Sequence, residues 1–88
     1  MLVNKQEKEI CMSMTFDVII FDSDGDPRSG IRVTADFGLS GQTSDYTDSN
    51  GCATLHTSGD YVTATIYVDG SNEGDHPVGD GETIKINT

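Results

Sequence analysis

The most constraining feature of this chain is a period of two. From residue 14 onward, apolar and polar residues alternate in short runs, punctuated by Gly, Asn, Asp and Pro roughly every 8–12 residues. Successive side chains of an extended strand point to opposite faces, so each run offers one apolar face and one wet face. No stretch after residue 14 repeats with a helical period. The pattern predicts an all-β chain: a single small antiparallel β-sandwich of six or seven strands over residues 14–88. Residues 1–13 form an N-terminal arm, flexible or a short helix.

The runs are specific enough to assign faces. Met14 to Asp22 places Phe16, Val18 and Ile20 on one side and Ile19 and Phe21 on the other. Apolar residues on both faces predict a central strand or one covered by the arm. Ile31 to Phe37 sends Ile31, Val33, Ala35 and Phe37 inward. Gly38 to Gly41 is a loop, and Gln42 to Thr47 a weak strand around Tyr46. Asp48-Ser49-Asn50-Gly51 is expected to close a hairpin, because Asn-Gly tolerates the positive φ that short hairpins need. Cys52 to Thr57 turns Ala53 and Leu55 to the core. Tyr61 to Asp69 does the same with Val62, Ala64, Ile66 and Val68, leaving Tyr61, Thr63, Thr65 and Tyr67 as a candidate binding row. Residues 70–81 are expected to be a polar loop, and Glu82 to Asn87 closes the domain with Ile84 and Ile86 inward.

Composition narrows the function classes. Eighty-eight residues with 34% apolar content make one domain with a small core and little room for an internal cavity. The net charge is −10, with eleven Asp and four Glu. Such a charge disfavours direct binding to nucleic acid or to an anionic membrane, and favours cations or basic partners. Cys11 and Cys52 are too few and too far apart for a disulfide framework or a zinc site; a single disulfide between them is open to the chain, and two buried or free thiols are the expectation. The first fourteen residues carry no continuous apolar stretch, so neither a signal peptide nor a transmembrane helix is predicted. The chain is expected to be cytoplasmic as given, with a phage or surface-assembly origin as the alternative.

Three turn motifs in order carry a resemblance. Asp24-Gly25-Asp26-Pro27-Arg28-Ser29-Gly30-Ile31-Arg32-Val33 has the form D-G-x-P-x-x-G-I-x-V. Thr47-Asp48-Ser49-Asn50-Gly51-Cys52-Ala53-Thr54-Leu55 has the form T-D-x-N-G-x-A-x-L, and Gly59-Asp60-Tyr61 follows. The series, over residues 16–70, resembles the carboxypeptidase regulatory-like domains and the related transthyretin-like and adhesin B-type repeats, which are immunoglobulin-like β-sandwiches. The resemblance implies a spacer, adhesion or assembly unit, and the matched residues are structural: turn formers at Pro27 and the glycines, core at Val33 and Leu55. Transthyretin-like hydrolases end in Tyr-Arg-Gly-Ser, whereas this chain ends Ile86-Asn87-Thr88, so that activity is not implied. Adhesin repeats anchor an isopeptide bond on a first-strand Lys, and Met14 to Asp22 holds none.

Candidate chemistry is sparse. Asp22, Asp24 and Asp26 alternate as calcium ligands do, and calcium is the one cofactor they suggest. The EF-hand pattern fails, because its sixth and twelfth positions fall on Pro27 and Val33. The competing reading is an Asp-rich turn capped by its own backbone. His56 lies four residues from Cys52 on one strand, about 13 Å away and too far for a nucleophile pair. His76-Pro77 reads as turn chemistry. The sequence therefore predicts no enzyme. The first expectation is a non-enzymatic interaction or structural module with an unidentified protein partner. The alternatives are a small acidic phage-type inhibitor mimicking nucleic acid, and a calcium-stabilised sandwich.

Overall fold

A computed structural model describes residues 13–58 and 62–88. It contains β1 (Met14–Phe21), β2 (Arg32–Asp36), β3 (Gln42–Tyr46), β4 (Cys52–Thr57), β5 (Thr63–Val68), β6 (Ser71–Pro77) and β7 (Thr83–Asn87), with one 3-10 turn at Gly38–Ser40. A three-stranded sheet runs β4-β1-β7 and a four-stranded sheet runs β3-β2-β5-β6. The all-β, two-sheet sandwich matches the expectation, and β1 is indeed a central strand. The arm and Cys11 lie outside the described residues, apart from Ser13.

Alternation builds the core. Phe16, Val18 and Ile20 of β1, Val33 and Ala35 of β2, Ala53 and Leu55 of β4, Ala64, Ile66 and Val68 of β5, and Ile84 and Ile86 of β7 are all buried between the sheets. Phe37 packs against this cluster and meets the edge of Phe16, ring centroids 6.5 Å apart at 81°, a favoured aromatic geometry. Thr47 is the buried polar residue among those described. Its hydroxyl donates to the Arg28 carbonyl and accepts the Ile31 N–H at 2.9 Å, so the polar group is satisfied on both counts.

Four expectations are corrected. First, the sandwich is not wholly antiparallel: β7 pairs parallel to β1, Asp17 to Thr83 through Phe21 to Asn87. The chain has crossed to the other sheet between these strands, which frees β7 from hairpin geometry. Second, Asp48 to Gly51 is a tight turn but not a hairpin within one sheet, because it carries the chain from β3 to β4 in the opposite sheet. Gly51 alone takes positive φ there (77°). The Asp48 carboxylate accepts the N–H groups of Asn50 and Cys52. Third, Val62 does not face the core; it is 78% exposed, because β5 begins one residue later at Thr63.

Fourth, residues 70–81 are not a loop, since Ser71–Pro77 forms β6, hairpinned to β5. Asp69 (φ 52°) and Gly70 (φ 85°) make the two-residue turn, whose paired positive φ values match the twist of adjoining strands. β6 was hidden because its inner face is polar. β3 and β4 lie close along one side of the sandwich. With four strands stacked on three, β6 is then, among the described residues, the strand with no counterpart opposite. Its inward positions are Ser71, Glu73 and His76, beside Val68, a bulge and Ala64.

Candidate functional site

The outer face of the four-stranded sheet gathers what the candidate row on β5 only hinted at. Register places Arg32 opposite Tyr46, Thr34 between Ser44 and Tyr67, and Asp36 between Gln42 and Thr65. Thr34 and Ser44 share a 2.7 Å hydroxyl hydrogen bond, and Thr65 donates to Asp75 at 2.6 Å. These cross-strand bonds fix the floor of the face. Of the candidate row, Thr63 is exposed, and Thr65 and Tyr67 are half-buried in this face. Tyr61 lies outside the described residues. Arg32, Thr34, Asp36, Gln42, Tyr67 and Gly70 line an open hollow of about 210 Å³. Tyr46, 63% exposed, stands at its border through its pairing with Arg32. Sequence reading missed Arg32 and Tyr46 because their neighbourhood depends on strand order.

The first carboxylate of the acidic triplet caps its own turn. Asp22 Oδ1 accepts the N–H groups of Asp24 (2.9 Å) and Asp26 (3.0 Å), closing the turn on itself. Asp24 and Asp26 are exposed. Among the described residues no group of three His, Cys, Asp or Glu side chains converges as metal ligands would. Other carboxylates are likewise tied up: Asp36 caps Gly38, Asp45 caps Tyr46, Asp80 accepts the Thr15 N–H, and Asp17 accepts the Thr54 hydroxyl.

The nucleophile and base candidates have structural partners. His56 Nδ1 lies 3.0 Å from Thr15 Oγ1 across the β1–β4 pair, and His76 Nε2 lies 3.1 Å from the Glu73 carbonyl. Cys52 is a free, half-buried thiol. Burial first, then the negative charges of Asp17 and Asp48, push its pKa up; a hydrogen bond with Thr54 opposes them weakly. A raised thiol pKa leaves little thiolate near neutrality. Cys52 should therefore react with iodoacetamide at pH 8 more slowly in the folded chain than in urea, measured on a Cys11→Ser background. A rate equal to the unfolded rate would contradict the assignment. Since the folded value lies above the unfolded one, Cys52 favours folding below the ordinary thiol range. That contribution is lost as pH rises through the folded value.

Fold and surface define a class: a seven-stranded, two-sheet β-sandwich whose polar sheet face carries aromatic and arginine side chains. No family model matches the chain, and no curated protein matches it. Among the described residues no helix is long and apolar enough to cross a membrane.

Proposed function

We propose that this chain is a non-enzymatic protein-interaction module of the assembly, adhesion or decoration type, akin to the carboxypeptidase regulatory-like and transthyretin-like domains. It meets its protein partner through the outer face of β3-β2-β5-β6. The observation that carries this reading is the grouping of Arg32, Tyr46 and Tyr67 around the hollow. Tyr and Arg dominate the energetics of protein interfaces. A hollow of about 210 Å³ falls below the roughly 300 Å³ at which small-molecule pockets begin, and suits a single side chain of a partner. The structural partners of His56 and His76 and the raised pKa of Cys52 support a non-catalytic role.

The experiment is capture from lysate with two baits, the natural chain and an Arg32→Ser, Tyr46→Ser, Tyr67→Ser variant. All three side chains face outward, so the variant should melt within a few degrees of the natural chain. A partner retained by the first bait and lost by the second supports the reading. Equal capture by both overturns it.

Nucleic-acid mimicry ranks second, because Asp22, Asp36, Asp45, Asp48 and Asp80 each accept backbone N–H groups, which gives these carboxylates a structural role. Calcium stabilisation ranks third, since Asp22 Oδ1 is committed to two backbone donors. The melting temperature is expected to be the same in excess calcium and in EDTA. A rise of several degrees with calcium would restore the metal reading.

A further inference from the structure

The four sheet edges are not equally protected. On β3, Asp45 Oδ1 takes the Tyr46 N–H at 2.8 Å, and the strand lies beside β4. At the start of β4, both backbone groups of Cys52 are taken by Asp48, the carbonyl by its N–H (2.9 Å) and the N–H by its carboxylate (3.1 Å). β6 is broken by a register shift between Thr65 and Tyr67, by Gly74 at φ 90°, and by Pro77. Bulges, prolines and caps are how sheets blunt their edges. β7, Thr83-Ile84-Lys85-Ile86-Asn87, has no bulge, proline or cap, and its guards are its shortness and the single charge of Lys85.

Parity shows what β7 leaves open. Asp17 N–H donates to the Glu82 carbonyl, and Thr88 N–H donates to the Phe21 carbonyl. In a parallel pair this fixes alternate residues toward β1. Ile84 and Ile86 therefore bond inward, while the N–H and C=O groups of Thr83, Lys85 and Asn87 point to the free edge. Among the described residues no strand pairs with the outer edge of β7, and none stands opposite β6. Glu73 and His76 are the half-buried positions of β6.

We propose that the β7 edge takes up an extended basic segment of a partner protein as an added strand. Main-chain bonds to Thr83, Lys85 and Asn87 would give affinity, and alternate side chains would give specificity. Charge selects the occupant. Glu73 lies on the inner side, Glu82 and Asp80 at the start of β7, and Asp17 opposite Thr83 on the outer face. Lys85 is the one cation on the strand, in a chain of net charge −10. Lysine or arginine in the added segment is therefore favoured. A second copy fits poorly, because in-register antiparallel pairing sets Lys85 against Lys85, and like charges directly opposed destabilise a pair. The inference does not rest on the sheet face around Arg32.

The test follows amide exchange by NMR on the full chain, titrated with a capped eight-residue peptide of alternating Lys and Val. At saturation the amides of Thr83, Lys85 and Asn87, fast in the free protein, should slow about tenfold or more. Ile84, Ile86 and Thr88 should be slow throughout. Lys85→Pro removes an N–H that the fold does not use, at an edge position where proline is tolerated. It should melt normally and lose the protection, whereas Lys85→Thr should keep it. On the peptide side, N-methylation at alternate residues should abolish binding in one of its two phases only, a check independent of whether Lys85→Pro folds. An Arg32→Ser, Tyr46→Ser, Tyr67→Ser variant should bind the peptide unchanged. The proposal is overturned if the three amides stay fast, if a Glu-Val peptide protects them equally, or if both N-methylated peptides bind. Protection that grows with protein concentration alone would also overturn it, in favour of a second copy.

Discussion

Gly51→Ala is expected to destabilise the domain by about 2–5 kcal/mol, a large fraction of the roughly 5–15 kcal/mol that holds a domain folded. Two costs add. Gly51 sits at φ 77°, where an L side chain loses roughly 1–2 kcal/mol. A Cβ there would also lie 2.7 Å from the Ile20 carbonyl oxygen, 2.9 Å from Pro27 Cβ and 3.1 Å from Arg28 N. None of these can move cheaply. The Ile20 carbonyl accepts the Arg28 N–H, the Ile20 N–H donates to the Gly51 carbonyl, and Pro27 bridges to Phe21. Overpacking of this kind costs about 1–3 kcal/mol more. Gly25 and Gly81 separate the two terms, since both have positive φ (86° and 82°) and open space where a Cβ would stand. Their alanine variants should lose only about 1–2 kcal/mol. Urea melts of the three variants check this, and equal losses at all three would remove the packing argument.

Phe16→Ala should cost about 3–5 kcal/mol, the range for emptying a buried aromatic site. Phe16 is 1% exposed on the central strand β1 and holds the edge contact to Phe37. The informative comparison is Val62→Ala. Alternation along residues 61–69 makes Val62 the equal of Ala64, Ile66 and Val68, yet it is 78% exposed. Its truncation should fall within about 0.5 kcal/mol of no effect. A cost above about 1.5 kcal/mol at Val62 would mean that β5 begins earlier and buries it.

That comparison marks where sequence reasoning reaches and where it stops. Phe16, Val18, Ile20, Val33, Ala35, Ala53, Leu55, Ala64, Ile66, Ile84 and Ile86 were legible, because period-two burial is written locally in each run. β6 was not, for Ser71-Asn72-Glu73-Gly74-Asp75-His76-Pro77 has no apolar face to betray a strand. The Asp69-Gly70 pair was the available signal, a strong two-residue hairpin turn following a confident strand. The parallel pairing of β1 with β7 and the jump between sheets at Asp48–Gly51 are facts of topology, and no local pattern encodes them. The candidate face shows the same division. Thr63, Thr65 and Tyr67 could be read as one outward row, but Arg32 and Tyr46 joined it only once β2 and β3 were placed beside β5. The Asp-rich turn was legible in the sequence, and the Asp22 carboxylate accepts two of its backbone N–H groups.

Photo-crosslinking tests the central claim most directly. A benzophenone side chain is placed at Tyr46, beside the hollow, or at His56, exposed on β4 of the other sheet. Both sites are open to solvent, so random collisions mark both. The account predicts a discrete partner adduct from position 46 that an excess of unlabelled natural chain competes away and the Arg32→Ser, Tyr67→Ser chain does not. Adducts of equal yield from both positions, or a discrete adduct from position 56 alone, would contradict it.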